Sequence, residues 1–287
     1  MTVCKLCQNN PELVDSHIIP DFVGRWIKNT SGTGKLRNPE TINKRVQDLV
    51  KCKLLCSECE SIFQKYEDYF SKNIFKPFLM SYLPEFQYDN RLLKFIVSLS
   101  WRILVYSMPD IRWKTEKHKI QAEQAEKVWR DFLFEDKNFD DYEHNLLLLR
   151  FVQGSPIISG TTVDINWYFF RSVDGTIAQN ADEAFTYVKI PGFVFISPLR
   201  EGSFEHLKNT KINSNGTVDF NSQNIDDLIY NYFDQRSNEA LSNFRKLSSN
   251  QLDKIESSYM NNLDNIENSY FYQMEMARQK WHNKNKQ

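Results

Sequence analysis

The sequence predicts an α+β protein built from three consecutive parts. Two Cys-x-x-Cys pairs near the start indicate a small module held together by a metal ion. Two long segments with helical spacing follow, and several β-rich runs come after them. The end of the chain returns to helical spacing. We therefore expect a small zinc-stabilised ββα module over 1–84, a helix pair packed on a small, mostly antiparallel sheet over 85–222, and a C-terminal helical region over 223–287.

The composition is that of a folded protein with a substantial core. The chain has 287 residues, of which 41 % are hydrophobic, so it can form one large domain or two small ones. Its net charge of −1 gives no overall basic field. Residues 1–56 nevertheless carry nine lysines and arginines against five acids. Such an excess of positive charge is most often part of a solvated surface. The excess also favours binding of phosphate groups. The candidate nucleic-acid contacts are Arg25, Lys28, Lys35, Arg37, Lys44 and Arg45.

The hydropathy pattern predicts a cytoplasmic protein with no membrane association. The N-terminal residues lack the basic and then apolar pattern of a secretory signal. The longest apolar stretch, 92–106, is interrupted by Lys94 and Arg102, so it does not reach the roughly eighteen residues of a membrane span. In the cytoplasm thiols stay reduced, and paired cysteines there bind metal more often than they form disulfides.

The four paired cysteines, Cys4, Cys7, Cys56 and Cys59, are the predicted ligands of one structural zinc ion. Two thiolates separated by two residues can bind the same ion at the bond length of about 2.3 Å that zinc requires. Only Cys52 lies outside the pairs. The alternative is a set of buried cysteines that bind nothing, but the shared spacing of the two pairs favours zinc.

The first part should contain two strands and two helices. A β-prone run over 13–19 ends at Pro20, and the helix expected over 21–29 has Asp21 as a possible N-cap. Residues 45–55 predict a strand that leads to the second cysteine pair. A helix should begin near Cys59, with its apolar stripe inward and the acids Glu60, Glu67 and Asp68 on other faces.

The middle part should contain two helices and a sheet. Helical spacing predicts helices over 90–108 and 115–134, and the β-rich runs cover 145–152, 162–173, 184–190 and 193–196. Asp174-Gly175 is a favourable hairpin turn between two of these runs. Pro77 and Pro84 indicate the first boundary, and the polar stretch 209–223 indicates the second.

The helical tail contains an eleven-residue repeat. Leu252, Leu263 and Met274 form one of three apolar series with this spacing, and eleven residues in three turns correspond to a nearly straight helix. The helix over 250–281 therefore has a continuous apolar seam. It packs either on its own domain or against a partner protein or a second copy of the chain.

Residues 4–67 resemble the zinc-bearing branch of the HNH (ββα-metal) endonucleases. The resemblance rests on the two cysteine pairs, on Ser16-His17-Ile18-Ile19-Pro20 between them, and on Glu60 after the last cysteine. It implies a β-hairpin and a helix that hold a catalytic Mg²⁺ or Mn²⁺ apart from the structural zinc, hydrolysis of phosphodiester bonds in DNA, and His17 as the general base. A neutral imidazole suits that role, since it can accept a proton from water near pH 7.

The predicted cation ligands differ from those of the family. Ser16 lies where the family has Asp or His, and Glu60 lies where it has Asn or His. Glu60 still offers an oxygen ligand, and Asp48 or Asp15 can complete the site. The alternative is a catalytically inactive zinc-stabilised module that binds nucleic acid or protein and assembles through its C-terminal helix. In that case His17 bonds a backbone carbonyl. The other histidines, His118, His144, His206 and His282, are expected to be structural or on the surface.

Overall fold

The computed structural model of the chain describes residues 3–31, 33–38, 41–81, 85–137, 141–150 and 165–261, together with Tyr272 and Met276. It confirms the α+β class and the antiparallel sheet pairing. The chain divides into two compact units, each made of separate segments. The first unit is Met1–Pro20, Val50–Leu149 and Val173–Asp227, and the second is Asp21–Leu49, Arg150–Ser172 and Leu228–Gln287. The division at 84 and 222 stays a prediction, because compactness does not measure which segments fold independently.

The first unit contains most of the strands and the longest described helix. In chain order they are β1 (Leu13–His17), β4 (Lys51–Cys56), α2 (Ser57–Phe70), α3 (Lys76–Ser81), β5 (Glu85–Tyr88), α4 (Asn90–Ser107), α5 (Glu116–Glu135), β6 (Asn145–Leu148), β7 (Asp174–Gln179), β8 (Ala184–Ile190), β9 (Phe193–Pro198), β10 (Leu207–Lys208), β11 (Gly216–Asp219) and β12 (Asn224–Ile225). The second unit contains α1 (Asp21–Asn29), β2 (Leu36–Arg37), β3 (Arg45–Val46), α6 (Ile165–Arg171), α7 (Asp227–Phe244) and α8 (Ser249–Met260).

Helix α4 is the central element of the first unit. It packs on β7, β8 and β9 of a four-stranded antiparallel sheet with the strand order β6-β9-β8-β7, and both α2 and α5 pack on it. Residues on all its faces are therefore buried, from Leu92 to Leu104. The helix begins where it does because Asp89 caps it by accepting a hydrogen bond from the Arg91 amide. Across the described residues, no helix combines the length and the apolarity needed to cross a bilayer.

Stacked aromatic rings join α2 to α4 and the sheet. Phe70 at the end of α2 lies parallel to Phe95 of α4, with ring centroids 4.1 Å apart. One π-helical turn, Ser71–Phe75, follows α2 and brings Phe75 towards the same core. The centroid of Phe193 in β9 lies 5.2 Å from that of Phe70 and 5.8 Å from that of Phe75. Both rings of this segment therefore pack on one strand of the sheet.

In the second unit, Arg171 at the end of α6 holds α1. Its guanidinium donates to the Thr30 hydroxyl at 2.8 Å and to the Ile27 carbonyl oxygen at 2.9 Å. These bonds satisfy carbonyl and hydroxyl groups near the end of α1, where a cation is also favoured by the helix dipole. The ring of Phe169 packs edge-on against Phe233 of α7.

Two predictions for the segment before the sheet are wrong. The run 162–173 was expected to be a strand, but its described part forms α6, because a short, buried aromatic run suits a helix as well as a strand. Asp174-Gly175 is not a turn but the start of β7. The backbone at Gly175 lies close to α4, since a Cβ there would lie 2.6 Å from the terminal methyl group of Ile103. The turn between β8 and β9 instead uses Gly192, at φ +80°.

Two further predictions hold only in part. The strand expected over 45–55 is two strands, because β3 pairs with β2 while β4 pairs with β1. The tail is helical as predicted in α7 and α8, with a break at 245–248. Most of the eleven-residue repeat lies outside the described residues. Of its first members, Leu252 is exposed and Ile255 is half-buried.

A buried polar network links the sheet to α4. Ring atom Nδ1 of His144 lies 2.7 Å from the Ser197 hydroxyl, which lies 2.8 Å from the Ser100 hydroxyl of α4. The His144 ring also packs on Trp129 of α5. Burial, and secondly the charge of Lys211, lower the pKa of His144 from its usual 6.5 to about 3. The structure therefore confirms that His144 is a structural residue.

We expect this network to make the fold sensitive to acid. The lowered pKa means that the unfolded chain binds a proton at His144 before the folded chain does. The free energy of unfolding should fall by about 1.4 kcal/mol per pH unit below 6.5. His144→Gln should lose this part of the pH dependence, as measured by urea unfolding of both proteins between pH 7 and 5. The two proteins share every other acid-sensitive group. If their free energies of unfolding fell equally with pH, His144 would not be the cause of the acid sensitivity.

Candidate metal centre and the hairpin behind it

The four predicted zinc ligands come together in the first unit. The Sγ atoms of Cys4, Cys7, Cys56 and Cys59 all lie within 4.8 Å of one another. Those of Cys7 and Cys56 are 3.9 Å apart, close to the roughly 3.8 Å between neighbouring ligands of a tetrahedral zinc ion with 2.3 Å bonds. None of the five cysteines is in a disulfide. The cluster can hold a metal ion such as zinc, as the spacing predicted.

Two tight local structures orient these thiols. The first pair lies in a turn in which the Gln8 amide donates to the Cys4 carbonyl at 2.9 Å, with Gln8 at φ +56°. The second pair spans the junction of β4 and α2, so that Cys56 ends the strand and Cys59 lies in the first helical turn. The Lys5 amide donates to the Leu54 carbonyl at 3.0 Å and holds the turn against β4.

The protonation of the thiols differs within the cluster. Burial opposes ionisation of Cys7, but backbone hydrogen bonds from Asn10 and Asn9 outweigh it and lower the pKa of the thiol to about 7. Burial raises the pKa of Cys56 to about 11. Burial, and secondly the hydrogen bonds with Cys56 and Cys4, also raise the pKa of Cys59. A bound cation would favour the thiolate form of all four cysteines.

The hairpin of β1 and β4 separates the cysteine cluster from His17. In its antiparallel register Leu13 lies opposite Cys56, while His17 lies opposite Lys51 at the other end. Helix α2 follows β4 directly and packs on both strands. Strand, strand and helix therefore form a ββα unit, with the cluster at one end and His17 at the end of β1.

Buried Arg102 of α4 fixes the backbone at His17. Its Nη1 atom donates to the His17 carbonyl oxygen at 2.9 Å and lies 2.8 Å from Oε1 of Glu67. Burial raises the pKa of Glu67 despite this partner, and the charges of Glu60 and His17 also act on it. The expectation that Glu67 faces away from the core is therefore wrong. The sequence signal for this site was an arginine within an apolar helix.

Glu60 lies on α2 near the middle of the hairpin. Its charge and that of Asp15 contribute to the raised pKa of Cys52, which is opposite Ser16 in the register, although burial is the main cause. Oε2 of Glu60 and Oγ of Ser16 are both buried and accept or donate no hydrogen bond among the described residues. Asp15 is exposed and pairs with Lys53 at 3.0 Å.

The remaining predicted site residues belong to the second unit. Asp48 and Asp21 have carboxylate oxygens within 4.8 Å of each other, and Asp21 also pairs with Arg25. The role predicted for Asp48 stays a prediction. All six predicted nucleic-acid contacts lie on this unit.

Comparison with known proteins adds no family assignment. No known protein family, curated protein or solved structure gives a significant match to the chain.

Replacing one ligand should release the metal. Cys59→Ser should lower the zinc content from one ion per chain to near zero and reduce the melting temperature, because the thiolates close the module only through the ion. Zinc is measured by plasma mass spectrometry of the purified protein. Cys52→Ser is the matched control, since Cys52 lies outside the cluster, and it should keep its zinc. Equal zinc in the two variants would contradict the site.

Removal of the buried cation beside His17 should destabilise the fold. Arg102→Met leaves the Glu67 carboxylate without its partner, so we expect the free energy of unfolding to fall by about 3–5 kcal/mol. Arg91→Met on the same helix removes an exposed arginine and should have little effect. Urea unfolding measures both. A small loss in the Arg102 variant would show that the ion pair is not required for stability.

Proposed function

We propose that the chain is an HNH-like, metal-dependent nuclease that hydrolyses phosphodiester bonds with His17 as the general base. One observation carries this proposal: the ββα unit with the four-cysteine cluster at one end of its hairpin and His17 at the end of β1. That is the arrangement implied by the family resemblance of residues 4–67. We further propose a cytoplasmic location, where the thiols stay reduced.

His17 is suited to accept a proton from an attacking water. Its backbone is held on two sides, by pairing with Lys51 in β4 and by the hydrogen bond from Arg102. A fixed strand end limits the positions of the imidazole, and a base is effective only when it lies within hydrogen-bond reach of its water. The imidazole takes the proton as the water oxygen attacks phosphorus, and the leaving oxygen departs on the opposite side.

Glu60 is the proposed principal ligand of a catalytic Mg²⁺ or Mn²⁺. Its buried Oε2 has no hydrogen-bond partner among the described residues, which fits a carboxylate oxygen that binds a hard cation. A bound cation would stabilise the negative charge that develops on the phosphate. Asp15 is a weaker candidate because it is exposed and already paired with Lys53.

A second function is favoured by Ser16. At the position of a family carboxylate or imidazole ligand, the chain has a fully buried hydroxyl, which is a poor ligand for a divalent cation. This residue fits a zinc-stabilised module that binds nucleic acid or protein without cleavage. In that alternative the helix proposed for 250–281 forms a seam for a partner protein or a second copy.

The nuclease proposal is tested with plasmid DNA and Mg²⁺ or Mn²⁺. We expect the wild-type protein to nick or linearise the plasmid, and His17→Ala to lower the rate at least about a hundredfold, the usual contribution of a positioned base. Glu60→Gln should lower the rate and raise the Mg²⁺ concentration needed for half-maximal cleavage.

Two matched variants control for general damage. His206→Ala removes a histidine paired with Asp226, and Glu123→Gln neutralises an exposed acid of α5. Both should cleave at the wild-type rate. No cleavage by a zinc-loaded wild-type protein, or equal cleavage by His17→Ala, would reject the nuclease and leave the binding module.

A further inference from the structure

The turn between α7 and α8 contacts the β2–β3 hairpin within the second unit. Asn43 in the hairpin loop bonds this turn twice: its Oδ1 accepts from the Ser248 amide at 2.8 Å, and its Nδ2 donates to the Lys246 carbonyl at 3.2 Å. Residues about two hundred positions apart in the chain therefore form one surface. The sequence alone predicts nucleic-acid contacts only on the hairpin side of this surface.

Two arginines of the hairpin extend the same contact along α8. Nη2 of Arg37 donates to Oε1 of Gln251 at 3.0 Å, and Nη2 of Arg45 donates to the Lys254 carbonyl at 2.9 Å. These partners are neutral, so the bonds orient the guanidinium groups without cancelling their charge. Burial, and secondly the charge of Arg45, lower the pKa of Arg37. The two cations thus repel each other, which an anion bound beside them would relieve.

The joined surface is strongly basic. Segments 33–38, 41–47 and 245–254 carry one acid, Asp253, against seven cations, namely Lys35, Arg37, Lys44, Arg45, Arg245, Lys246 and Lys254. In the described part of the chain, neither Lys246 in the turn nor Lys254 in α8 forms an ion pair with a carboxylate. Lys246 donates to the neutral side chain of Asn243. Seven cations held together with a single acid repel one another, and a bound polyanion or salt offsets that repulsion.

The residue types indicate which polyanion fits. The three segments contain no Phe, Tyr or Trp. Surfaces that bind single-stranded nucleic acid stack its bases on aromatic rings, whereas binding to a duplex backbone depends on lysine and arginine contacts to phosphates. We propose that the β2–β3 hairpin and the α7–α8 turn together form a binding surface for the phosphate backbone of duplex DNA. The choice of DNA rests on the proposed nuclease function, while the surface itself rests on the contacts and charges above.

Lys246 and Lys254 test the surface without disturbing it. Both contact the hairpin through their backbone carbonyls, so replacing their side chains leaves those hydrogen bonds in place. The double variant Lys246→Gln/Lys254→Gln is compared with Lys117→Gln/Lys127→Gln, which removes two exposed lysines of α5 in the other unit. All proteins also carry His17→Ala, so that DNA is bound but not cut. No chelator is added, because it would remove the structural zinc.

Binding of a labelled duplex of about 30 base pairs is followed by fluorescence anisotropy at several salt concentrations. In the Lys246/Lys254 variant we expect the slope of log K against log salt to become less steep by about two, and the affinity near 100 mM salt to fall at least about tenfold. The Lys117/Lys127 variant should keep the affinity and slope of its parent.

The outcomes separate this surface from the nuclease. The same measurement is made with a labelled single strand of the same length. The proposed surface is rejected if the Lys246/Lys254 variant binds duplex as tightly as the Lys117/Lys127 variant, or if the single strand binds more tightly than the duplex. This holds whatever the cleavage assay shows. If the loss occurs as expected but wild-type protein does not cleave DNA, the surface stands and the nuclease is rejected. Unchanged circular dichroism of the variants excludes misfolding as the cause of the loss.

Discussion

The four-thiol cluster is the constraint on which the first part of the fold depends. Cys7 and Cys56 are 49 positions apart, so an ion bound between them closes a long loop. By the chain-entropy treatment of a cross-link, closing a loop of that length removes about 4 kcal/mol of unfolded-state entropy. The β1–β4 hairpin has no tight turn of its own, because its strands are joined through Asp21–Leu49 of the second unit. An ion bound by the four thiols would hold these two strands together, as a two-residue turn does in other hairpins.

The opposite end of the hairpin depends on a different interaction. There the buried Arg102 reaches from α4 to the His17 carbonyl and to Glu67. A buried arginine and carboxylate carry a large desolvation cost, which such a pair recovers only with good geometry and further hydrogen bonds. Since replacing both partners of such a pair by packed apolar residues is often neutral, we expect this pair to fix the position of the β1 end rather than to add net stability. The hairpin therefore has the four-thiol cluster at one end and a buried ion pair at the other.

Local sequence was sufficient for the elements whose signals are local. Cysteine spacing predicted the four-thiol cluster that could hold a metal ion, and apolar periodicity predicted α4 and α5 closely. It failed where long-range packing decides the outcome. The local sequence predicts a turn at Asp174-Gly175, because nothing nearby in the chain shows that the Ile103 side chain lies where a Cβ of residue 175 would be. The pairing of Arg102 with Glu67, and the contact of Asn43 with Lys246, join segments far apart in the chain and have no local signature.

The π-helical turn after α2 allows two aromatic residues that are five positions apart to pack on the same strand. In an α-helix, residues on one face recur every three or four positions, yet here Phe70 and Phe75 are five apart and both pack on Phe193. The extra residue in the turn makes this possible. Distant relatives that share this core should keep two aromatic residues five apart downstream of the second cysteine pair, even where other residues have diverged. An insertion or deletion of one residue there would rotate the following helix by about 100° and separate the rings.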